Sequence, residues 1–123
     1  MSELRGVVVG HGSVAQALVE AAEEISGLRG VLVPVSNTGC DRGALEARVA
    51  DAVGEGAAVV FVDLAAGSCL LAVLRRLRDR EDVRIVTGVN LAMLVDFLFH
   101  RTLPPAEAAA HAANSGGSAI KVP

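Results

Sequence analysis

Four short runs of apolar residues alternate with stretches in which apolar residues recur at helical spacing. The runs are residues 4–9, 30–35, 57–62 and 83–87. They lack the strict apolar–polar alternation of half-exposed strands, and strands covered by helices on both faces have this composition. Repeated strand–helix units with short connections predict an α/β fold: a doubly wound, mostly parallel sheet with helices on both faces.

The first three helical segments are bounded by residues that commonly begin or end helices. We expect the first helix to start after an N-cap at Ser13 and to end at Gly27. The second helix is expected to end at Gly54, and the third covers residues 70–77. Polar loops rich in turn-forming residues connect these helices to the strands.

The C-terminal third of the chain predicts two more helices and a final strand. Residues 91–101 have a helical pattern, and Pro105 opens an alanine-rich helix that reaches about Ala113. The Asn-Ser-Gly-Gly sequence at residues 114–117 predicts a break. Residues 118–122 are then expected to form a short strand.

Length and charge narrow the classes of function. A chain of 123 residues with 52% hydrophobic residues suits one domain over residues 1–123 with a sizeable core. A net charge of −3 argues against a nucleic-acid partner. Three phenylalanines, with no tryptophan or tyrosine, offer no aromatic platform on which bases would stack.

The compartment is predicted from the cysteines and the apolar runs. Cys40 and Cys69 form no Cys-x-x-Cys pair and are expected to be reduced thiols. No apolar run approaches the roughly 20 residues that span a bilayer. The N-terminus runs directly into a strand and does not resemble a signal peptide. We therefore expect a cytoplasmic protein.

Polar side chains collect where the predicted strands end. His11, Asp63 and Asn90 follow the first, third and fourth strands. Open α/β sheets bind ligands at the carboxyl edge of their strands, so these residues are candidates for one site. A carboxylate at Asp63 would accept a hydrogen bond from one imidazole nitrogen of His11 and leave the other nitrogen's lone pair free. Such an arrangement produces an activated nucleophile.

Small residues beside these two side chains suit a phosphate. Backbone N–H groups at the helix starts after Gly12 and Gly67 are expected to hold phosphate oxygens. The hydroxyls of Ser13 and Ser68 are expected to add donors. Serine hydrolase chemistry with the same histidine is a weaker hypothesis, because neither serine lies in a Gly-x-Ser-x-Gly elbow.

Structural explanations compete with several of these assignments. His11 is alternatively a turn histidine with local hydrogen bonds, and Asp63 an N-cap of the following helix. Ser68 serves equally well as an N-cap or a phosphate donor. His100 and His111 are expected to face solvent or to cap helix C-termini. One histidine with one aspartate is too few ligands for a metal site, so neither a metal nor a cofactor is expected.

Three ordered motifs resemble the enzyme IIA domain of the mannose family of the bacterial sugar phosphotransferase system. They are Val-Gly-His-Gly at residues 9–12, Val-Asp-Leu-Ala-Ala-Gly-Ser at 62–68 and Gly-Val-Asn-Leu-Ala-Met-Leu at 88–94. The similarity extends over residues 4–122. Three motifs at matching intervals are far more specific than a lone Gly-His-Gly.

The resemblance implies a phosphotransferase component that works through a phosphohistidine. His11 would accept a phosphoryl group from the histidine-containing phosphocarrier protein and pass it to a IIB component for sugar uptake. Asp63 would orient the ring so that Nε2 is phosphorylated, with Ser68 beside the phosphoryl group. The resemblance also implies a homodimer in which residues 119–122 join the partner's sheet. The membrane permease would be reached only through protein partners.

Some positions depart from the family pattern. Ala65, Ala66 and Ala92 replace a bulky residue, a glycine and a proline, and Cys69 stands where a proline is usual. These changes alter the surface that faces the partner. Two alternatives therefore remain open: a stand-alone regulatory module switched by phosphorylation of His11, and the phosphotransfer subunit of a dihydroxyacetone kinase.

Overall fold

A computed structural model describes residues 3–123 and contains one parallel sheet. The strand order is β2-β1-β3-β4, and every pair of neighbours is parallel. The strands are β1 (Arg5–Gly10), β2 (Leu32–Ser36), β3 (Ala58–Val62) and β4 (Val83–Thr87). The predicted α/β class and the four predicted internal strands are confirmed.

Five helices pack on the two faces of this sheet. They are α1 (Val14–Ser26), α2 (Arg42–Val53), α3 (Ser68–Leu77), α4 (Leu91–Leu98) and α5 (Pro105–Ser118). Successive residues of a strand point to opposite faces, so β1 contributes Val8 to one apolar cluster and Val7 and Val9 to the other. Helices α1, α4 and α5 cover the first face, and α2 and α3 cover the second. Within residues 3–123, none of these helices has the length and apolar character that a membrane crossing requires.

The register of the central strands determines where the polar loops meet. Val9 of β1 is level with Val62 of β3, and Gly10 is level with Ser36 of β2. The Asp63 N–H donates to the Val9 carbonyl at 3.1 Å, which continues the ladder just past β3. The loops that follow β1, β2 and β3 therefore leave the sheet side by side.

Of the two serines considered as N-caps, Ser13 is at the predicted position and Ser68 is not. Ser13 occupies the N-cap position of α1, but its side chain makes no capping hydrogen bond. Its ψ of 6° departs from the extended backbone that directs a cap hydroxyl toward the helix amides. Ser68 is the first residue of α3, and Gly67, with a φ of 97°, takes the N-cap position. The side-chain caps are instead Asp41 for α2 and Asn90 for α4.

The predicted C-terminal break is also wrong, because α5 continues through Ser118. Gly116 lies where α5 approaches α4, and a Cβ there would be 2.7 Å from Met93 Cε. Its carbonyl accepts a hydrogen bond from Asn90 Nδ2 at 3.0 Å. These contacts stabilise the last turns of a helix that the glycines alone would disfavour. Residues 118–122 form no strand in the described chain, and their exchange between two copies stays a prediction.

Helix α4 ends at Leu98, three residues before the predicted end at residue 101. His100 turns its ring back to the helix, with Nδ1 2.7 Å from the Asp96 carbonyl. The Arg101 carbonyl accepts the Leu4 N–H at 3.0 Å, which draws the chain toward the start of β1. The segment after α4 is thus held against the start of β1.

We expect Gly6→Ala to destabilise the fold by about 1–3 kcal/mol through overpacking. A Cβ at this position in β1 would lie 2.6 Å from both Leu32 Cδ2 and Phe97 Cε2. The measurement is the free energy of unfolding from urea titration. Gly56→Ala is the matched control, since a Cβ there meets nothing within 4 Å, and its effect should stay within about 0.5 kcal/mol. Equal midpoints for the two variants would contradict the packing argument.

Candidate functional site

His11 and Asp63 form the centre of the candidate site at the carboxyl edge of the sheet. The His11 Nδ1 lies 2.8 Å from Asp63 Oδ2, so the hydrogen bond predicted between them is present. His11 follows β1 directly, and Asp63 follows β3, the neighbouring strand. Residues 52 positions apart in the chain meet because parallel neighbouring strands end at the same edge.

Asp63 accepts three hydrogen bonds that hold its carboxylate in place. Oδ2 also accepts the backbone N–H of His11 at 2.9 Å, and Oδ1 accepts the Leu64 N–H at 2.9 Å. Burial by itself raises the pKa of Asp63, but these bonds to the charged form outweigh it and leave the pKa below its ordinary value. The carboxylate is therefore ionised at neutral pH. Asp63 is not a cap of α3, which begins five residues later.

The pairing leaves the two nitrogens of His11 in different environments. Because the Asp63 carboxylate can only accept, Nδ1 carries the proton and Nε2 keeps its lone pair. The His11 side chain is 42% exposed, whereas the Asp63 side chain is 14% exposed. An ordered carboxylate behind an accessible imidazole is the arrangement of an activated nitrogen nucleophile.

Cys69 packs behind the imidazole, a contact that the sequence did not predict. Its buried Sγ lies 3.7 Å from His11 Nδ1. Burial, with the nearby Asp63 charge, raises the pKa of the Cys69 thiol. His11, Asp63 and Cys69 offer ligand atoms within 4.8 Å of one another, but a neutral thiol is a poor metal ligand. The geometry favours Cys69 as a packing residue that limits rotation of the ring.

The loop after β2 also contacts the histidine turn. Asn37 Oδ1 accepts the Gly12 N–H at 3.2 Å, and Ser36 Oγ donates to the Gly12 carbonyl at 2.7 Å. The Asn37 N–H donates to the Gly10 carbonyl at 3.2 Å. Sequence reasoning missed Ser36 and Asn37 because their proximity depends on β2 lying next to β1. The sequence shows that this loop is polar. Knowing that β2 pairs with β1 would have placed the loop beside the histidine turn.

The four residues predicted to hold phosphate differ in whether their N–H and O–H groups are free to bind it. Gly12 has a φ of 58°, which favours glycine, and its N–H is already donated to Asn37. The Ser13 hydroxyl is exposed and makes no capping bond. Gly67 and Ser68 are exposed at the start of α3, where the first backbone amides have no acceptor within the helix. The roles of these residues stay predictions.

Asn90 does not join this site. Its Oδ1 accepts the Met93 N–H at 3.0 Å, while its Nδ2 donates to the Gly116 carbonyl. Both amide atoms are therefore used to cap α4 and to join it to α5. The carboxyl end of β4 lies beyond β3 in the sheet, which separates Asn90 from the β1 edge.

A cavity of about 260 Å³ opens beside the histidine turn. It lies between the loop after β2 and the start of α3, and its lining includes Asn37, Arg42, Ser68 and Leu71. Large apolar side chains stand exposed around the same edge, with Leu64 57% and Leu71 50% exposed. Exposed apolar side chains around a polar centre are typical of a surface that receives another protein.

Several solved structures of sugar phosphotransferase system proteins share this architecture. The EIIA component from Streptococcus agalactiae aligns with a TM-score of 0.88 at 18% identity, covering 97% of this chain and 96% of that chain. The mannose/sorbose specific IIA subunit from Enterococcus faecalis aligns with a TM-score of 0.86 at 20% identity, covering 99% and 96%. A putative sugar phosphotransferase system permease from Klebsiella pneumoniae aligns with a TM-score of 0.85 at 23% identity, covering 98% and 90%. At these identities the likeness establishes the fold.

The family is shown by the sequence itself. No curated protein is similar in sequence to this chain at a significant level. Residues 6–114, however, match the protein family described as "PTS system fructose IIA component", known in short as EIIA-man. The matched region contains both His11 and Asp63. The chain therefore belongs to the mannose-type IIA component family of the sugar phosphotransferase system.

Proposed function

We propose that this chain carries a phosphoryl group on His11, received from the histidine-containing phosphocarrier protein and passed to a IIB component for sugar uptake. The observation that carries the proposal is the 2.8 Å pairing of the exposed His11 imidazole with the ionised Asp63 carboxylate. Membership of the IIA family supports a phosphotransferase role, and the proposal adds that the phosphoryl group is held as a phosphohistidine at His11.

The geometry supports transfer to Nε2. Its lone pair attacks the phosphorus of the donor phosphohistidine, the Nε2–P bond forms as the donor N–P bond breaks, and the donor nitrogen keeps the electron pair. The proton on Nδ1 stays in place, so positive charge develops on the His11 ring. Asp63, already ionised and oriented, stabilises that charge without reorganisation. Transfer to IIB is the same step in reverse, with IIB as the acceptor.

Groups around the turn are suited to the phosphoryl oxygens. The Ser13 and Ser68 hydroxyls and the first amides of α3 after Gly67 are exposed donors, and α3 presents the positive end of its dipole there. The Gly12 amide becomes available if Asn37 is displaced. No cofactor or metal is needed for this chemistry.

The surroundings of His11 suit protein partners. Exposed leucines on the loop after β3 and on α3 offer apolar area around an accessible imidazole. As such a carrier, the chain is proposed to work in the cytoplasm as a homodimer and to reach the membrane permease only through IIB. The apolar end of the chain, with Ile120 75% and Val122 97% exposed, supports exchange of this segment between the two copies.

The relay is tested by labelling and chase. With labelled phosphoenolpyruvate, enzyme I and the phosphocarrier protein, the purified chain is expected to gain one phosphoryl group. The label should be lost in acid and stable in alkali, as a phosphohistidine is. A mannose-type IIB protein added afterwards is expected to remove the label. A chain that acquires no label would refute the proposal.

A regulatory module is the second candidate, and it is favoured by substitutions in the surface around the site. Ala65 and Ala66 lie exposed beside the site, where the family pattern has a bulky residue and a glycine. If the labelled chain keeps its phosphoryl group with IIB but binds another protein differently, regulation is supported and transport is not. Loss of the label to dihydroxyacetone kinase subunits, and not to IIB, would identify the kinase alternative.

A further inference from the structure

A second cluster of titratable side chains lies at α4 and α5, away from His11. Asp96 of α4, His100 just after α4 and His111 of α5 offer ligand atoms within 4.8 Å of one another. His100 is next to Arg101, which bonds to Leu4 just before β1. His11 follows the other end of that six-residue strand, so the two clusters are separated by roughly 20 Å.

Asp96 is a mostly buried carboxylate with little positive charge nearby. Its side chain is 11% exposed. Among residues 3–123, its ion-pair contacts are with His100 and His111, and no lysine or arginine takes part. A bound cation would neutralise the charge of this largely buried carboxylate.

Both histidines are accessible and close to this carboxylate, although His100 Nδ1 bonds to the Asp96 backbone carbonyl and lies 3.6 Å from Oδ1. His111 Nδ1 lies 2.8 Å from Asp96 Oδ2, and the two imidazole rings are 4.0 Å apart between centroids. The side chains of His100 and His111 are 36% and 47% exposed, so an ion reaches them from solvent. Ser115 Oγ donates to Asp96 Oδ1 at 2.8 Å and orients the carboxylate from behind. A hydrogen bond of this type tunes a metal-ligating carboxylate.

We propose that Asp96, His100 and His111 form a binding site for a divalent transition-metal ion of the zinc class. Two imidazoles and one carboxylate suit Zn²⁺, with water completing the shell. Tetrahedral ligation with Zn–N near 2.1 Å requires ligand atoms roughly 3.4 Å apart. The ligand atoms lie within 4.8 Å of one another, and rotation of the two partly exposed imidazoles would bring them to that spacing. The ion would join the end of α4 to α5 independently of the phosphoryl chemistry.

The proposal is tested on the full chain without a polyhistidine tag. Zn²⁺ is titrated by calorimetry, and the thermal midpoint is measured with and without the ion. The parent is expected to bind one Zn²⁺ per chain and to unfold at a higher temperature when loaded. His111→Gln and His100→Gln are each expected to weaken binding at least about tenfold. His11→Ala is expected to bind like the parent, because it leaves this cluster intact.

Ring-proton NMR signals locate the ion without relying on variants. On adding Zn²⁺, the signals of His100 and His111 are expected to shift, while those of His11 stay in place. Three results overturn the proposal: no binding by the parent, binding by both glutamine variants as tight as that of the parent, or loss of binding in His11→Ala. The last result would place the ion at His11, Asp63 and Cys69 instead.

Discussion

The His11→Gln variant is expected to lose phosphoryl acceptance by at least about 10³-fold, because the nitrogen nucleophile is removed. A glutamine amide still has an N–H that can donate to Asp63, so the carboxylate keeps a partner. Nothing in the variant, however, replaces the lone pair of Nε2. The measurement is the rate of labelling from the phosphorylated phosphocarrier protein. The fold is checked by circular dichroism and by the thermal midpoint.

The result for His11→Gln distinguishes the proposed acceptor from the other two histidines. His100 and His111 remain in this variant and lie near the opposite end of the strands. Labelling of a folded His11→Gln chain at the parent rate would show that another residue accepts the phosphoryl group. Peptide mapping of the labelled parent should place the phosphate on the segment that contains His11.

Asp63→Asn is expected to slow phosphoryl acceptance by up to about 10⁴-fold, the loss caused by the same change at the orienting aspartate of a serine protease triad. Oδ2 accepts both N–H groups of His11, and Oδ1 accepts the Leu64 N–H. An asparagine has only one acceptor oxygen, which can face either His11 or the Leu64 N–H but not both. With its NH₂ toward His11, it stabilises the tautomer in which Nε2 is protonated and unable to attack. The measurement is the single-turnover rate of labelling.

Asp79→Asn is the matched control for this change. Asp79 is exposed after α3, at the end of the fold away from His11, and its substitution should leave the labelling rate unchanged. A labelling rate for Asp63→Asn within threefold of the control would refute the orienting role.

The pH dependence of stability gives a second, independent readout for Asp63. Its pKa is lower in the folded protein than in the unfolded chain, where it is about 3.9. Its contribution is therefore fully present above that value and is lost as pH falls through the lower folded pKa. The gap in free energy of unfolding between the parent and Asp63→Asn should narrow as the pH falls below about 3.9. A gap independent of pH would contradict the hydrogen bonds described for the carboxylate.

The central pair of the site was predictable from the chain alone, whereas its surroundings were not. His11 and Asp63 each end an apolar run, and parallel strands bring such ends to one edge whatever the loops do. Asn37 and Ser36 contact the histidine turn only because β2 pairs with β1. Asn90 follows a predicted strand as well, but its Oδ1 caps α4 and its Nδ2 bonds to α5, so neither amide atom is left for the site.

The local sequence pattern by itself determined the order of the four strands and the helices between them. Strands buried on both faces are continuous apolar runs, and helices packed on one side have apolar residues at helical spacing. Only the tertiary structure decided where helices stop and which polar groups meet. Gly116 disfavours a helix in isolation, yet α5 continues through it because close packing against Met93 requires a residue without a side chain. Asp96 and His111 are 15 residues apart and share no local pattern. Their contact exists because α4 and α5 pack side by side. The periodicity of a segment predicts which of its faces is buried, but not which distant segment packs against that face.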